Sequence, residues 1–268
     1  MNVLVFDIET IPDIEGGQAI FDLQGLDDAS TVKAMRHIHQ QKTGTDFLPL
    51  YLHKIIAISI VYRGIDEDMA NIVTVKSLGD TQSSEADLLR LFFIEIEERK
   101  PTLISWNGSE FDLPILYYQA LKNSISAPAY WDKRANNSPF CDDSADNYLS
   151  QKNQRHIDLK EVLSSYNHNA SAPLDHIAKL LGFPGKIGMG SSQVWDEYQA
   201  GKLVEIRNYC ETGVLNTYLV YLRYQLMRGK INQGELEKEF NLLREVLDNE
   251  GQQRRPHLLN FSKHWARA

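Results

Sequence analysis

Cysteine is scarce in this sequence: Cys141 and Cys210 are the only two among 268 residues. They form no CxxC pair and have no Cys/His spacing of the zinc-binding kind, so a disulfide scaffold is excluded and a structural zinc site has no support. Long apolar runs are missing as well. The longest, Ile55 to Tyr62, is interrupted by Ser59, whereas a membrane span needs about 20 apolar residues. No basic segment precedes the first apolar stretch, and Asp7 and Glu9 stand inside MNVLVFDIET instead. No secretory signal is therefore expected, and the expected location is cytoplasmic. Positive charge is also in deficit, with 28 Lys and Arg against 36 Asp and Glu and a net charge of −8. That balance argues against a general polyanion-coating protein but leaves room for a local basic groove or a cation-loaded site.

What is present is the composition of an ordinary folded protein, 43% hydrophobic and 24% charged, with enough chain for a substantial core. A single domain over residues 1–268 is expected. NVLVFDIE is a short apolar strand ending in two acids, and a polar stretch from Thr10 to Pro49 follows, with a helix around Asp28 to Gln41. Lys54 to Tyr62 has the β-branched content of a central strand, and Asn71 to Lys76 alternates as its neighbour, with Gly64 and Asp66 to Asp68 at the turn. Between Ser84 and Arg99 apolar residues recur at helical spacing behind the capping pair Ser84 and Asp87. TLISW, from Thr102, is a further strand that runs into Asn107-Gly108 and a helix beginning near Phe111.

Residues 123–155 are rich in Asn, Ser, Asp and Pro and have the character of a loop insertion. Beyond His156 the pattern is helical: 174–181, a Gly/Pro break at 182–190, a long stretch from Lys202 to Met227, and Gln233 to Asn249. The segment after about 228 is expected to be a helical, basic C-terminal extension carrying Arg254, Arg255, Lys263 and Arg267.

Asp7 and Glu9 lie two apart on a strand and therefore project from one face. Two adjacent carboxylates are costly unless they share a proton or a cation, and hard oxygen ligands suit Mg²⁺ or Mn²⁺. In Asn107-Gly108-Ser109-Glu110-Phe111-Asp112, a strand ends, glycine permits a tight turn, and Asp112 lands in the first turn of a helix. Tyr209-Cys210-Glu211-Thr212-Gly213 lies within the long helix.

The trio FDIET, NGSEFD and YCETG, in this order, resembles the three motifs of the DEDD 3'-5' exonucleases in their Tyr-containing (DEDDy) subgroup. It is most similar to the predicted PolB-like 3'-5' exonucleases, relatives of the proofreading domain of family B DNA polymerases. LDHIAKLLGFPGK and VWDEYQAGKL add to the likeness. The resemblance implies an α/β, RNase H-like exonuclease fold with a mixed central sheet flanked by helices. It also implies a two-metal scheme with Mg²⁺ or Mn²⁺ at Asp7, Glu9 and Asp112, Tyr209 orienting the nucleophilic water, and a single-stranded DNA or RNA 3' end as substrate. Thr10, Asn107 and Phe111 are the expected substrate contacts, Phe111 by stacking.

The family's third motif is Tyr-x-x-x-Asp, and the fourth position after Tyr209 is Gly213. Glu211 is rotated about 200° away from Tyr209 around the helix, so it is a poor substitute. Asn216, seven residues after Tyr209, and Glu205, one turn before it, are the nearest alternatives on that side. Reduced or lost exonuclease activity is therefore expected. The alternative is a catalytically inactive nucleic-acid-binding or protein-interaction module. Asp158 and Asp175 are expected to be structural caps, Trp106 a core residue, and His37, His39, His156 and His176 core or surface residues. Lys152, Arg155, Arg223, Arg228 and Lys230, with the tail arginines, are candidates for a phosphate path.

Overall fold

The computed structural model describes residues 1–66, 69–132, 148–149 and 155–265. Five strands, β1 (Val3–Pro12), β2 (His53–Ile65), β3 (Asn71–Ser77), β4 (Thr102–Ser105) and β5 (His156–Asp158), form one sheet in the order β3-β2-β1-β4-β5. The pairs β1/β2 and β2/β3 are antiparallel, whereas β4 and β5 join parallel to β1. The helices are α1 (Ile14–Phe21), α2 (Asp28–Thr43), α3 (Glu85–Arg99), α4 (Asp112–Lys122), α5 (Pro128–Trp131), α6 (Leu159–Leu163), α7 (Leu174–Leu180), α8 (Val194–Gln199), α9 (Leu203–Met227), α10 (Gln233–Gln253) and α11 (Pro256–Trp265). None of the described helices is long and apolar enough to cross a membrane. A mixed sheet with helices on both faces is the architecture that the resemblance implies.

The period-two alternation of β1 divides the interior. Leu4, Phe6 and Ile8 point to one face, where they pack with Leu88, Phe92 and Ile96 of α3 and Leu113 and Leu116 of α4. Val3 and Val5 point to the other, into a core with Val214, Tyr218 and Leu222 of α9. Continuing by two along that second face leads to Asp7 and then Glu9, so the acids cap an otherwise apolar row. α9 is buried around most of its circumference between the sheet and the helices α7, α10 and α11. Ser84 and Asp87 form the expected reciprocal capping box at the start of α3.

Several elements differ from the sequence expectation. β5 is a strand although its surroundings have helical character, because three residues are too few to express a period. α1 lies in the stretch expected only to be polar, and α8 falls between the expected Gly/Pro break at 182–190 and the long helix. β4 ends at Ser105, which places Trp106 beyond the sheet. α5 interrupts the expected insertion, most of which, with Cys141 and Lys152, lies outside the described residues, as do two of the acids at the β2/β3 turn and Arg267. The segment beyond 228 does not project from the fold: Leu236, Leu243, Leu258, Phe261 and Trp265 all enter the α9 core.

Candidate active site

Two local devices set the three acids. A β-bulge in the β1/β2 ladder pairs Glu9 with Ala57 and Thr10 with Ile55, leaving Ile56 over as the extra residue. It falls directly after Glu9, where the strand turns from carrying acids to lining the cavity beyond them.

The turn after β4 sets the third. Asn107 adopts a left-handed backbone, φ 70°, and a Cβ on Gly108 would lie 2.4 Å from Ser105 Oγ, so a side chain at 108 has no room. Buried Asp158 ties the turn by accepting hydrogen bonds from the backbone N–H groups of Asn107 (2.8 Å), Ser109 (2.9 Å) and Lys160 (3.0 Å). It is thus a cap, as expected, and also the anchor of the neighbouring loop. Asp112 then opens α4, and its Oδ1 accepts from the Ile8 N–H at 3.2 Å, which brings the helix terminus onto β1 between the two strand acids.

α9 supplies the opposite wall. Tyr209 and Gly213 face the same cavity as Asp7, Glu9 and Asp112. A Cβ built on Gly213 would stand 2.3 Å from Asp7 Oδ2, so the position of the missing acid lies directly against Asp7. The Cys210 thiol donates to the Asp7 carbonyl at 3.4 Å, and its sulfur lies with carboxylate oxygens of Asp7 and Glu9 inside a 4.8 Å cluster. Glu211 points away, as its helical position requires, and is held by the Ser77 N–H and hydroxyl (2.8 Å each), Arg255 and His257.

The two neutral or acidic alternatives to a residue at 213 are not at the site. Asn216 is fully engaged: its Oδ1 accepts from the Gly185 N–H at 3.0 Å, and its Nδ2 donates to the carbonyls of Gly185 and Thr212 at 2.8 Å. It clamps the 182–190 loop to α9 and is not among the residues lining the carboxylate cavity. Glu205 is exposed and lines a separate cavity beside Lys202 and His257.

Burial raises the pKa of all three carboxyls. Asp7 is pushed up to about 6 by desolvation, against the opposing pull of the Lys186 charge and the Ile8 N–H. Glu9 is raised well above the ordinary range by desolvation and then by Asp7, with Asp112 adding to it and Lys186 opposing. Asp112 is raised by desolvation and by Asp7. Glu9 is 9% exposed and makes no hydrogen bond or ion pair to any described residue. Such a cluster is short of positive charge, and its hard oxygen donors fit a divalent cation of the Mg²⁺ or Mn²⁺ class. Burial also raises the Tyr209 phenol, which stays protonated at neutral pH.

The cavity measures about 1040 Å³. Thr10, Asn107 and Phe111 line it, as do three cations not singled out as site residues, Arg36, Lys160 and Lys186, the last of these closing the family-like stretch LDHIAKLLGFPGK. Lys186 lies 5.5 Å from the Tyr209 ring centroid, and Lys160 bonds Asn107 Oδ1 at 2.6 Å and Glu110 at 3.0 Å. His53 is a further lining residue. Its Nε2 donates to the Leu48 carbonyl at 3.1 Å, so Nδ1 is left to accept the Thr10 hydroxyl at 2.9 Å. Burial lowers the His53 pKa, which favours the neutral ring. Trp106, expected in the core, packs against it from a half-buried position on the cavity wall.

The expected phosphate path is not where the basic residues of the sequence suggested. Arg155 donates to the Lys100 carbonyl beyond the start of β4, at the far end of the sheet from the cavity. Arg255 is committed to Glu211 and the Val75 carbonyl. Arg223 and Arg228 lie 14 and 19 residues beyond Tyr209 in sequence, about 20–30 Å along the helix. Of the histidines, His156 is half-buried with a ring nitrogen 2.8 Å from Ser105 Oγ, while His37 and His176 are exposed and His39 is half-buried. Asp175 accepts from the Lys186 N–H at 2.7 Å and pairs with Lys179, which steadies the loop carrying Lys186.

No curated protein matches the chain significantly. A family model described as a predicted 3'-5' exonuclease related to the exonuclease domain of PolB matches residues 45–265. That span contains Asp112, Tyr209 and Gly213 and begins after Asp7 and Glu9, which the fold brings to the same cavity. With more than half of its length matched and a mixed α/β sheet of the RNase H-like exonuclease kind, the chain belongs to the family of predicted 3'-5' exonucleases related to the exonuclease domain of PolB.

Proposed function

We propose that this chain is a divalent-metal-dependent 3'-5' exonuclease acting on the 3' end of single-stranded nucleic acid, with a rate lowered by Gly213. The observation that carries this reading is the meeting of three carboxyls from β1 and α4, those of Glu9 and Asp112 buried and that of Asp7 half-buried, with the Tyr209 phenol of α9 in one open cavity. Asp7, Glu9 and Asp112 would hold the cation, which when bound supplies Lewis acidity and a nucleophile at neutral pH.

The chain's own groups account for positioning. The protonated Tyr209 hydroxyl can both donate and accept, which suits it to orient a water beside the scissile phosphate. Lys186, next to the Tyr209 ring, places positive charge where a phosphodiester would enter. The Thr10 proton is engaged by His53, so the Thr10 oxygen offers its lone pairs to a donor such as a terminal sugar hydroxyl.

Gly213 favours a second reading, a catalytically inactive member that binds nucleic acid or a partner. The test is release of nucleotides from labelled single-stranded DNA and RNA with Mg²⁺ or Mn²⁺, comparing the chain with Asp7→Ala and Gly213→Asp. The exonuclease reading expects product from the chain, at least tenfold more from Gly213→Asp, and none from Asp7→Ala. Absence of product from all three, with oligonucleotide binding intact in EDTA, overturns it in favour of the binding module.

A further inference from the structure

The rim of the cavity continues into an exposed aromatic stripe that the chemistry of the carboxylates does not use. At the rim, Phe47 packs 5.4 Å from His53 and 6.3 Å from Phe111, and His53 meets Phe111 edge-on at 5.6 Å. Phe47 is nevertheless 55% exposed. From Phe111 the solvent side of α4 runs through Pro114, Tyr118 and Leu121, residues spaced by three and four and therefore on one face. Tyr118 is 48% and Leu121 78% exposed. Tyr51, 44% exposed, stands edge-on to Tyr118 at 6.1 Å, just before His53 in sequence. The stripe is thus continuous with the cavity and extends about 15 Å from Phe111 to Leu121.

We infer that Tyr51 and Tyr118, with Leu121 as an apolar contact beyond them, form a stacking track for the bases of a single strand whose 3' end occupies the cavity. This rests on the exonuclease reading and adds to it a preference for substrates several nucleotides long. Exposed rings of this kind accept any base face, so the track selects unpaired strands without reading their sequence. Arg36, exposed and lining the cavity near His53, makes no ion pair with any described residue and is available to a phosphate at the crossing from cavity to stripe.

The test is fluorescence anisotropy with 5'-labelled oligo-dT and oligo-U of about 3 to about 12 nucleotides, in Ca²⁺, for the chain and for Tyr51→Ala/Tyr118→Ala, with Tyr118→Trp as the conservative control. The expected result is an affinity that climbs with length in the chain, a climb reduced roughly tenfold in the double variant, retention by Tyr118→Trp, and unaltered thermal melting. A climb that the double variant preserves, or its absence from the chain, overturns the track. A Tyr118-dependent climb in a chain that releases no nucleotide leaves the track standing while the exonuclease reading falls. Absence of binding at every length overturns the track, while release of nucleotides decides the exonuclease reading.

Discussion

Gly213 opposes two residue-level forces whose balance can be measured. Within a helix, alanine is favoured over glycine by about 1 kcal/mol, yet a Cβ at 213 would lie 2.3 Å from Asp7 Oδ2. Asp7 turns aside only by giving up the hydrogen bond that its Oδ1 accepts from the Ile8 N–H at 3.2 Å. Gly213→Ala is therefore expected to melt below the natural chain, the reverse of the propensity order. Gly213→Asp adds a fourth acid to a site already short of positive charge, so its melting temperature in EDTA should fall further and its rise on adding Mn²⁺ should exceed that of the natural chain. Equal Mn²⁺ shifts in the two proteins would show that residue 213 does not share the cation with Asp7. At this scale much was legible: period two places Asp7 beside Glu9, and helical spacing sets Gly213 one turn from Tyr209. Arg36 of α2 and His53 at the start of β2 were not, since no local pattern marks either and packing alone brings them to the cavity; Lys186 ends a family-like stretch, but its place beside Tyr209 follows only from the way its loop packs.

At the scale of elements, α9 works on both sides. Tyr209 and Gly213 face the cavity, and Glu211 faces β3 and the α10/α11 corner, where Ser77, Arg255 and His257 converge on it. These partners lower the Glu211 pKa from 4.5 to about 2 against the opposing effect of its burial. A carboxyl with a depressed folded-state pKa contributes stability that is fully present above about pH 4.5 and is lost as pH falls toward 2, of order 3 kcal/mol in all. Glu211→Gln should thus unfold at lower temperature at neutral pH and show a flatter loss of stability between about pH 4.5 and pH 2. Parallel acid limbs for the two proteins would remove Glu211 from the account. The direction of Glu211 follows from the helical angle alone, but its partners, 44 and 46 residues further along, do not. β5 was illegible for a different reason, brevity: its three residues acquire strand geometry only by pairing with β4.

At the scale of the whole molecule, the C-terminal helices are part of the core, which charge and periodicity alone did not suggest. Their amphipathic pattern identifies them as helices, but the groups they cover are distant in sequence. Glu239 of α10 accepts from both Nε and Nη2 of Arg63 at 2.8 Å, a pairing across 176 residues, and the Tyr218 hydroxyl joins at 3.2 Å. Arg63 is 4% exposed on β2, so loss of Glu239 leaves an enclosed guanidinium whose remaining hydrogen-bond acceptors among the described residues are the Gly64 carbonyl and Asn71 Oδ1. Removing one partner of a buried pair costs about 3–5 kcal/mol, a large part of the 5–15 kcal/mol typical of a folded domain. Glu239→Gln is expected to lower the urea midpoint by an amount in that range with an unchanged m-value. Truncation after Gly229 should do more, since it also uncovers the apolar surface of α9 that Leu236, Leu243, Phe261 and Trp265 bury. The shortened chain should bind a hydrophobic dye and lose its cooperative thermal transition, and with it the closely held carboxylates, because the wall carrying Tyr209 and Gly213 is the same helix. A truncated chain that melts cooperatively near the temperature of the full chain would make α10 and α11 an appendage and Arg63 self-sufficient.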